Sequence, residues 1–173
     1  MSTETAPRMS PAEAKLQYLE VFQTELPTTL KVMKAYPAGK DGFQPHEKSS
    51  TAVRLVHTFS RENGAVIAAL RGEWKIPPSF PPAPPTYAEA VDAYERGARE
   101  LIRTVESAPD SKLLESVPFF TGPKQMGERR ILDVMWFMLL DSIHHRGQLS
   151  VYVRMAGGKV PSIYGPSADE PWV

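Results

Sequence analysis

The chain has 173 residues, enough for one domain with a full core and too few to suggest two. Hydrophobic residues make up 42% and charged ones 23%, as in an ordinary globular domain, and 20 basic residues balance 20 acidic ones. Zero net charge gives no general attraction to nucleic acid or an anionic membrane, and the lack of cysteine excludes disulfides, thiolate-bound zinc and a cysteine nucleophile.

Residues 1–9 form a short polar lead-in, expected to be disordered, without the apolar segment of a signal peptide. Residues 10–173 are read as a single domain. Ser10, Pro11 and Glu13 give a helix start: a cap, a proline suited to the first turn, and the acid of a capping box. Leu16, Leu19, Phe22, Leu26, Leu30 and Met33 follow at spacings of three and four, so a first amphipathic helix is expected, kinked or divided at Pro27. A loop over 36–42 leads to a second helix over about 50–70, with His57 among its apolar positions.

Six prolines in the ten residues Ile76–Pro85 exclude a helix and predict an extended, semi-rigid crossover. Thr86 and Glu89 open a third helix that ends near Ser107. The pattern over 109–128 is irregular, with a short extended piece at Val117–Phe120. A fourth helix is expected over about 130–156, stopped by Gly157 and Gly158. The result is an all-α four-helix bundle with one long crossover.

The fourth helix carries two anomalies. From Ile131 to Leu140 only Asp133 is polar, and such a helix must be covered all round. Three neighbours leave one side open, so a homodimer is expected. No stretch approaches the ~20 apolar residues of a membrane span, and a cytoplasmic protein is expected. Downstream, Asp141, His144, His145, Arg146 and Gln148 crowd the same helix. Asp141 and His145, at i and i+4, share a face.

Facing helices of a bundle can aim side chains into one interior site. His57, Asp141 and His145 are therefore the candidate ligands of a divalent metal ion. Two imidazoles and a carboxylate suit zinc, nickel, iron or manganese and leave positions open for water or substrate. His144 is the alternative to His145 as ligand, or else an acid–base group or surface contact. Gln148 borders the same face and is placed to orient a ligand or substrate. Arg146 is expected to pair with an acid, such as Asp133 or a residue of the tail. Gly147 calls for a close neighbour to justify its cost in a helix. The competing reading of all these residues is a hydrogen-bonded core with no ion.

At these residues the sequence resembles the DinB-like family of metalloenzymes, which is related to bacterial thiol-dependent transferases. The resemblance rests on His144-His145-Arg146-Gly147-Gln148-Leu149, continued through Tyr152-Val153-Arg154, Gly157–Pro161 and Tyr164–Ser167, and on Phe43–Ser49 before the second helix. It implies a usually dimeric four-helix bundle with a divalent metal held by three histidines. By position these fall at His57, Asp141 and His145, so an aspartate stands where the middle histidine is expected. The implied function is a metal-dependent hydrolase or thiol transferase, with zinc or nickel foremost and a small-molecule substrate, with a low-molecular-weight thiol as cosubstrate. The alternative is a non-catalytic dimeric helical bundle that serves binding or stress response.

Overall fold

The computed structural model describes residues 9–173. The expected lead-in lies, apart from Met9, outside the described residues. Four helices form the body: α1 Pro11–Lys34, α2 Ala52–Arg71, α3 Tyr87–Ser107 and α4 Ile131–Met155. Ser10 closes the capping box on α1, accepting from the Glu13 amide while its own amide donates to the Glu13 carboxylate. Thr51 and Thr86 cap α2 and α3 by the side chain alone, accepting from the amides of Arg54 and Glu89. Pro27 does not divide α1, contrary to one of the two outcomes expected for it. It removes one backbone bond, but Phe22 before it and Met33 after it are both buried in the bundle, and that packing holds the helix continuous.

Two apolar clusters fix the topology. One gathers Tyr18 and Phe22 of α1, Val66 and Leu70 of α2, Leu101 and Val105 of α3, and Ile131 and Met135 of α4. The other holds Val32 and Met33, Val56 and Phe59, Val91 and Tyr94, and Leu149 and Val153. The starts of α1 and α4 thus lie with the ends of α2 and α3. Helices α2 and α3 run parallel, which a short turn cannot achieve, and the proline-rich crossover is the connection that parallel neighbours require.

Between α3 and α4 lie a 3-10 turn, Asp110–Leu114, and an antiparallel hairpin of β1 Ser116–Gly122 and β2 Gln125–Arg130. The extended piece expected at 117–120 belongs to β1. The second strand has no sequence signal: Met126 is its one apolar residue, and the strand is almost wholly exposed, so no alternation marks it. Trp74 ties the crossover to this hairpin by donating from Nε1 to the Pro118 carbonyl at 2.9 Å.

Helix α4 ends as expected, with Gly157 in the left-handed region at φ 92°. A Cβ at Gly158 would sit 2.7 Å from the Ala35 carbonyl oxygen, so only glycine lets the chain cross the end of α1 there. Gly147 has no such neighbour within its own chain, and the expectation that the tail or another helix of the bundle packs there is corrected. A Cβ at Gly147 meets nothing within 4 Å, because the residue points outward.

Candidate metal centre

A polar layer lies between the two apolar clusters. On α2, Phe59, Glu62 and Val66 follow at spacings of three and four and are all buried, so Glu62 occupies a core position of the helix. It faces α4, where Ser142 donates from Oγ to Glu62 Oε2 in a short hydrogen bond. Asp141 and His145 flank Ser142 on the same side of α4. His145 Nε2 lies 3.4 Å from Glu62 Oε1 and 3.6 Å from Asp141 Oδ2.

One ligand atom from each of Glu62, Asp141 and His145 falls within 4.8 Å of the others. Ligand bonds of about 2.1 Å set tetrahedral ligand atoms about 3.4 Å apart, so the spacing suits a first-row divalent cation. Glu62 Oε1 is buried and has no hydrogen-bond partner. Burial pushes the Glu62 carboxyl up to about 8; Ser142 and Arg61 pull it down, while neighbouring Asp141 adds to the rise. A desolvated carboxylate with a free lone pair, beside a second carboxylate and an imidazole, is a donor set that fits a cation.

The imidazole is oriented from behind. His145 Nδ1 lies 3.2 Å from Gln148 Oε1, and because that oxygen can only accept, Nδ1 carries the hydrogen. With Nδ1 engaged in this way, Nε2 is the ring nitrogen that faces Glu62 and Asp141. Gln148 Nε2 in turn donates to His144 Nε2 at 2.8 Å. His144 is exposed and is occupied by Gln148, whereas His145 faces the carboxylates. Phe59 packs against the His145 ring with centroids 6.1 Å apart.

The structure does not bring His57 into this group. Its Nε2 lies 3.1 Å from the Pro81 carbonyl oxygen of the crossover, and its Nδ1 is buried without a partner. At ~100° per residue, His57 and Glu62 stand about 140° apart around α2, so one side chain faces the crossover and the other faces α4. Glu62 is the residue that the sequence reading missed. The one trace of it in the sequence is weak: a carboxylate in register with Phe59 and Val66, readable only once those two are known to be buried.

Arg146 serves a different contact. It is buried and donates from NH1 to Glu25 Oε2 at 2.5 Å and to Thr29 Oγ1 at 3.2 Å, both on α1. The expected partner Asp133 is engaged instead by Arg130, a turn earlier, at 2.8 and 2.9 Å. The tail does take part, since Arg146 NH2 donates to the Tyr164 hydroxyl, which donates to Glu25 at 2.8 Å.

A cleft of about 320 Å³ opens beside the carboxylates. Glu62 and Asp141 line it together with Trp74, Phe80, Phe119 and Phe137 and with the aliphatic Ile76 and Met138, so its wall is apolar and rich in aromatic rings. His145 and Gln148 line a second depression of about 420 Å³ beside Ser50 and Tyr152.

The model of the DinB family matches residues 1–172. The chain belongs to the DinB family. An uncharacterised protein of Bacillus subtilis, YrdA, is 31% identical over 88 residues, which make up 50% of this chain and 50% of that protein. The chain thus spans about half the length of this curated relative. Crystal structures of two DinB-like proteins share the fold. The one from Bacillus subtilis has a TM-score of 0.66 at 14% identity, covering 91% of this chain and 99% of its own. The one from Bacillus cereus has a TM-score of 0.67 at 20% identity, covering 85% and 95%. The DinB-type bundle expected from the sequence is therefore the fold observed. Among the described residues no helix is long and apolar enough to cross a membrane.

Proposed function

We propose that this DinB-family protein is a cytoplasmic metal-dependent enzyme acting on a small molecule, with Glu62, Asp141 and His145 as the metal ligands. One observation carries the reading: a buried, unpartnered carboxylate oxygen meets a second carboxylate and an oriented imidazole nitrogen at the edge of an aromatic cleft. Two oxygen donors and one nitrogen make the set harder than three histidines, which brings manganese and iron forward beside zinc and nickel. A divalent cation held there supplies Lewis-acid chemistry, polarising a carbonyl or making a water or thiol acidic. The class of reaction that follows is hydrolysis, or transfer of a low-molecular-weight thiol to a small electrophile.

The chain's own residues have separable tasks in this reading. Ser142 holds one oxygen of Glu62, leaving Oε1 for the ion. Gln148 fixes the ring of His145. The aromatic wall excludes water from one side of the ion and receives the apolar part of the substrate. The rival reading, a binding bundle without chemistry, is separated by a direct assay. Metal-loaded wild-type protein should conjugate a thiol to an electrophile, or hydrolyse an ester or amide, and Asp141→Asn should lose both metal and turnover. Full metal occupancy without any turnover across such a panel favours the binding protein.

The assembly we propose is a homodimer built on α4. The exposed residues Leu140, His144, Gly147, Val151 and Met155 recur at spacings of three and four, tracing one stripe along the helix. Apolar side chains dominate it, and Gly147 at its middle leaves room for a close helix approach. A second copy of the same stripe covers it symmetrically.

A further inference from the structure

We infer that the cleft beside the carboxylates binds a flat aromatic molecule of one or two rings that carries an anionic oxygen group. The inference rests on the metal reading above and adds the substrate class. The wall comes from three separate parts of the chain: Trp74 and Phe80 from the α2–α3 connection, Phe119 from β1 and Phe137 from α4. Its volume of about 320 Å³ is roughly twice the ~150 Å³ apolar cavity that accepts a benzene ring. Aromatic rings gain about 0.5–1.5 kcal/mol from edge and face contacts beyond the area they bury, so such a wall favours a ring over an alkyl chain.

Charge sets the other end of the ligand. The charged side chains lining the cleft are Glu62, Asp141 and Arg61. A divalent ion cancels the two carboxylates, and the net field is then that of Arg61, which favours an anion. Arg61 is held in place over the Phe80 ring, 4.8 Å from its centroid. The crossover segment is fixed by two bonds, from Trp74 Nε1 to Pro118 O and between His57 Nε2 and Pro81 O. These anchors make the wall a preformed surface, and they give His57 a positioning task there.

The test is calorimetric titration of the zinc-loaded full chain with 2-naphthoate, with octanoate as the aliphatic anion and 2-naphthalenemethanol as the uncharged ring. Naphthoate should bind about tenfold more tightly than octanoate, the factor that ~1.4 kcal/mol of ring contact gives. Phe80→Ala should remove about the same factor while zinc content stays unchanged. Arg61→Ala should weaken naphthoate and leave 2-naphthalenemethanol unaffected. Zinc retained with no naphthoate binding, or with binding equal to octanoate or indifferent to Phe80→Ala, overturns the cleft assignment and leaves the metal reading standing. Protein that takes up no zinc but binds 2-naphthalenemethanol through Phe80 keeps the aromatic cleft and removes the metal reading. Failure of both ligands and of zinc removes both.

Discussion

Gln148 accepts a hydrogen bond from His145 Nδ1 at 3.2 Å, and this contact decides which imidazole nitrogen faces Glu62 and Asp141. Replacing Gln148 with Leu keeps a side chain of similar size but removes the acceptor. Metal affinity should fall about 10–100-fold, the usual effect of losing a partner behind a ligating histidine. Competition against a chelator of known affinity measures it. Unchanged affinity in Gln148→Leu means that the ring needs no such support.

The Glu62 carboxyl gives a pH signature in metal-free protein. Its pKa is raised from 4.5 in the unfolded chain to about 8 in the folded one, chiefly by burial. The folded state therefore holds this proton more tightly, and the stability linked to it is present at low pH and lost as pH rises towards about 8. Unfolding of wild type and Glu62→Gln in a chelator, followed from pH 5 to 9, isolates the effect. The difference between the two should move in favour of the glutamine variant as pH rises, then level off. A difference that is flat across the range argues for a carboxylate already paired.

Much of the fold was legible because the signals were local. Ser10, Thr86 and the Gly157–Gly158 pair mark helix ends through backbone chemistry that the sequence carries directly. The six crossover prolines rule out a helix wherever they occur. Strand β2 was illegible because it is exposed on both faces and has no hydrophobic period to read. The site was legible in part: Asp141 and His145 share a helix face and stand together. Glu62 was hidden because a glutamate in a helix is ordinary, and only the buried state of Phe59 and Val66 beside it shows its direction. His57 drew attention as a histidine among apolar residues, yet its neighbour across the fold, Pro81, comes from a crossover whose path the sequence does not specify.

The ion pair of Arg146 with Glu25 is a second polar anchor on the opposite side of α4. Arg146 is 1% exposed, so removing its partner strands a buried charge. Glu25→Ala should cost about 3–5 kcal/mol in urea unfolding, whereas Arg146→Met combined with Glu25→Leu should cost much less, since no charge is left unpaired. A double variant that is no better than the single one would show that the network itself, with Thr29 and Tyr164, is what stabilises this region.

The exposed stripe on α4 gives a further expectation. Leu140, near one end of it, is 61% exposed. In light scattering coupled to gel filtration the wild type should elute as a dimer and Leu140→Glu as a folded monomer, because a charge placed in an apolar seam is left unpaired in the complex. A monomeric wild type at tens of micromolar, by the mass-action dependence of any dimer, rules the seam out.

The central claim is that the ion sits on Glu62, Asp141 and His145, and metal stoichiometry tests it most directly. Wild type, Glu62→Gln, His145→Ala and His57→Ala, each purified, stripped and reloaded with zinc or manganese, are measured by elemental analysis after dialysis. The account predicts about one ion per chain in wild type and in His57→Ala, and loss of the ion in Glu62→Gln and His145→Ala. An ion retained in Glu62→Gln and lost in His57→Ala would contradict it and move the centre to the crossover side of α2.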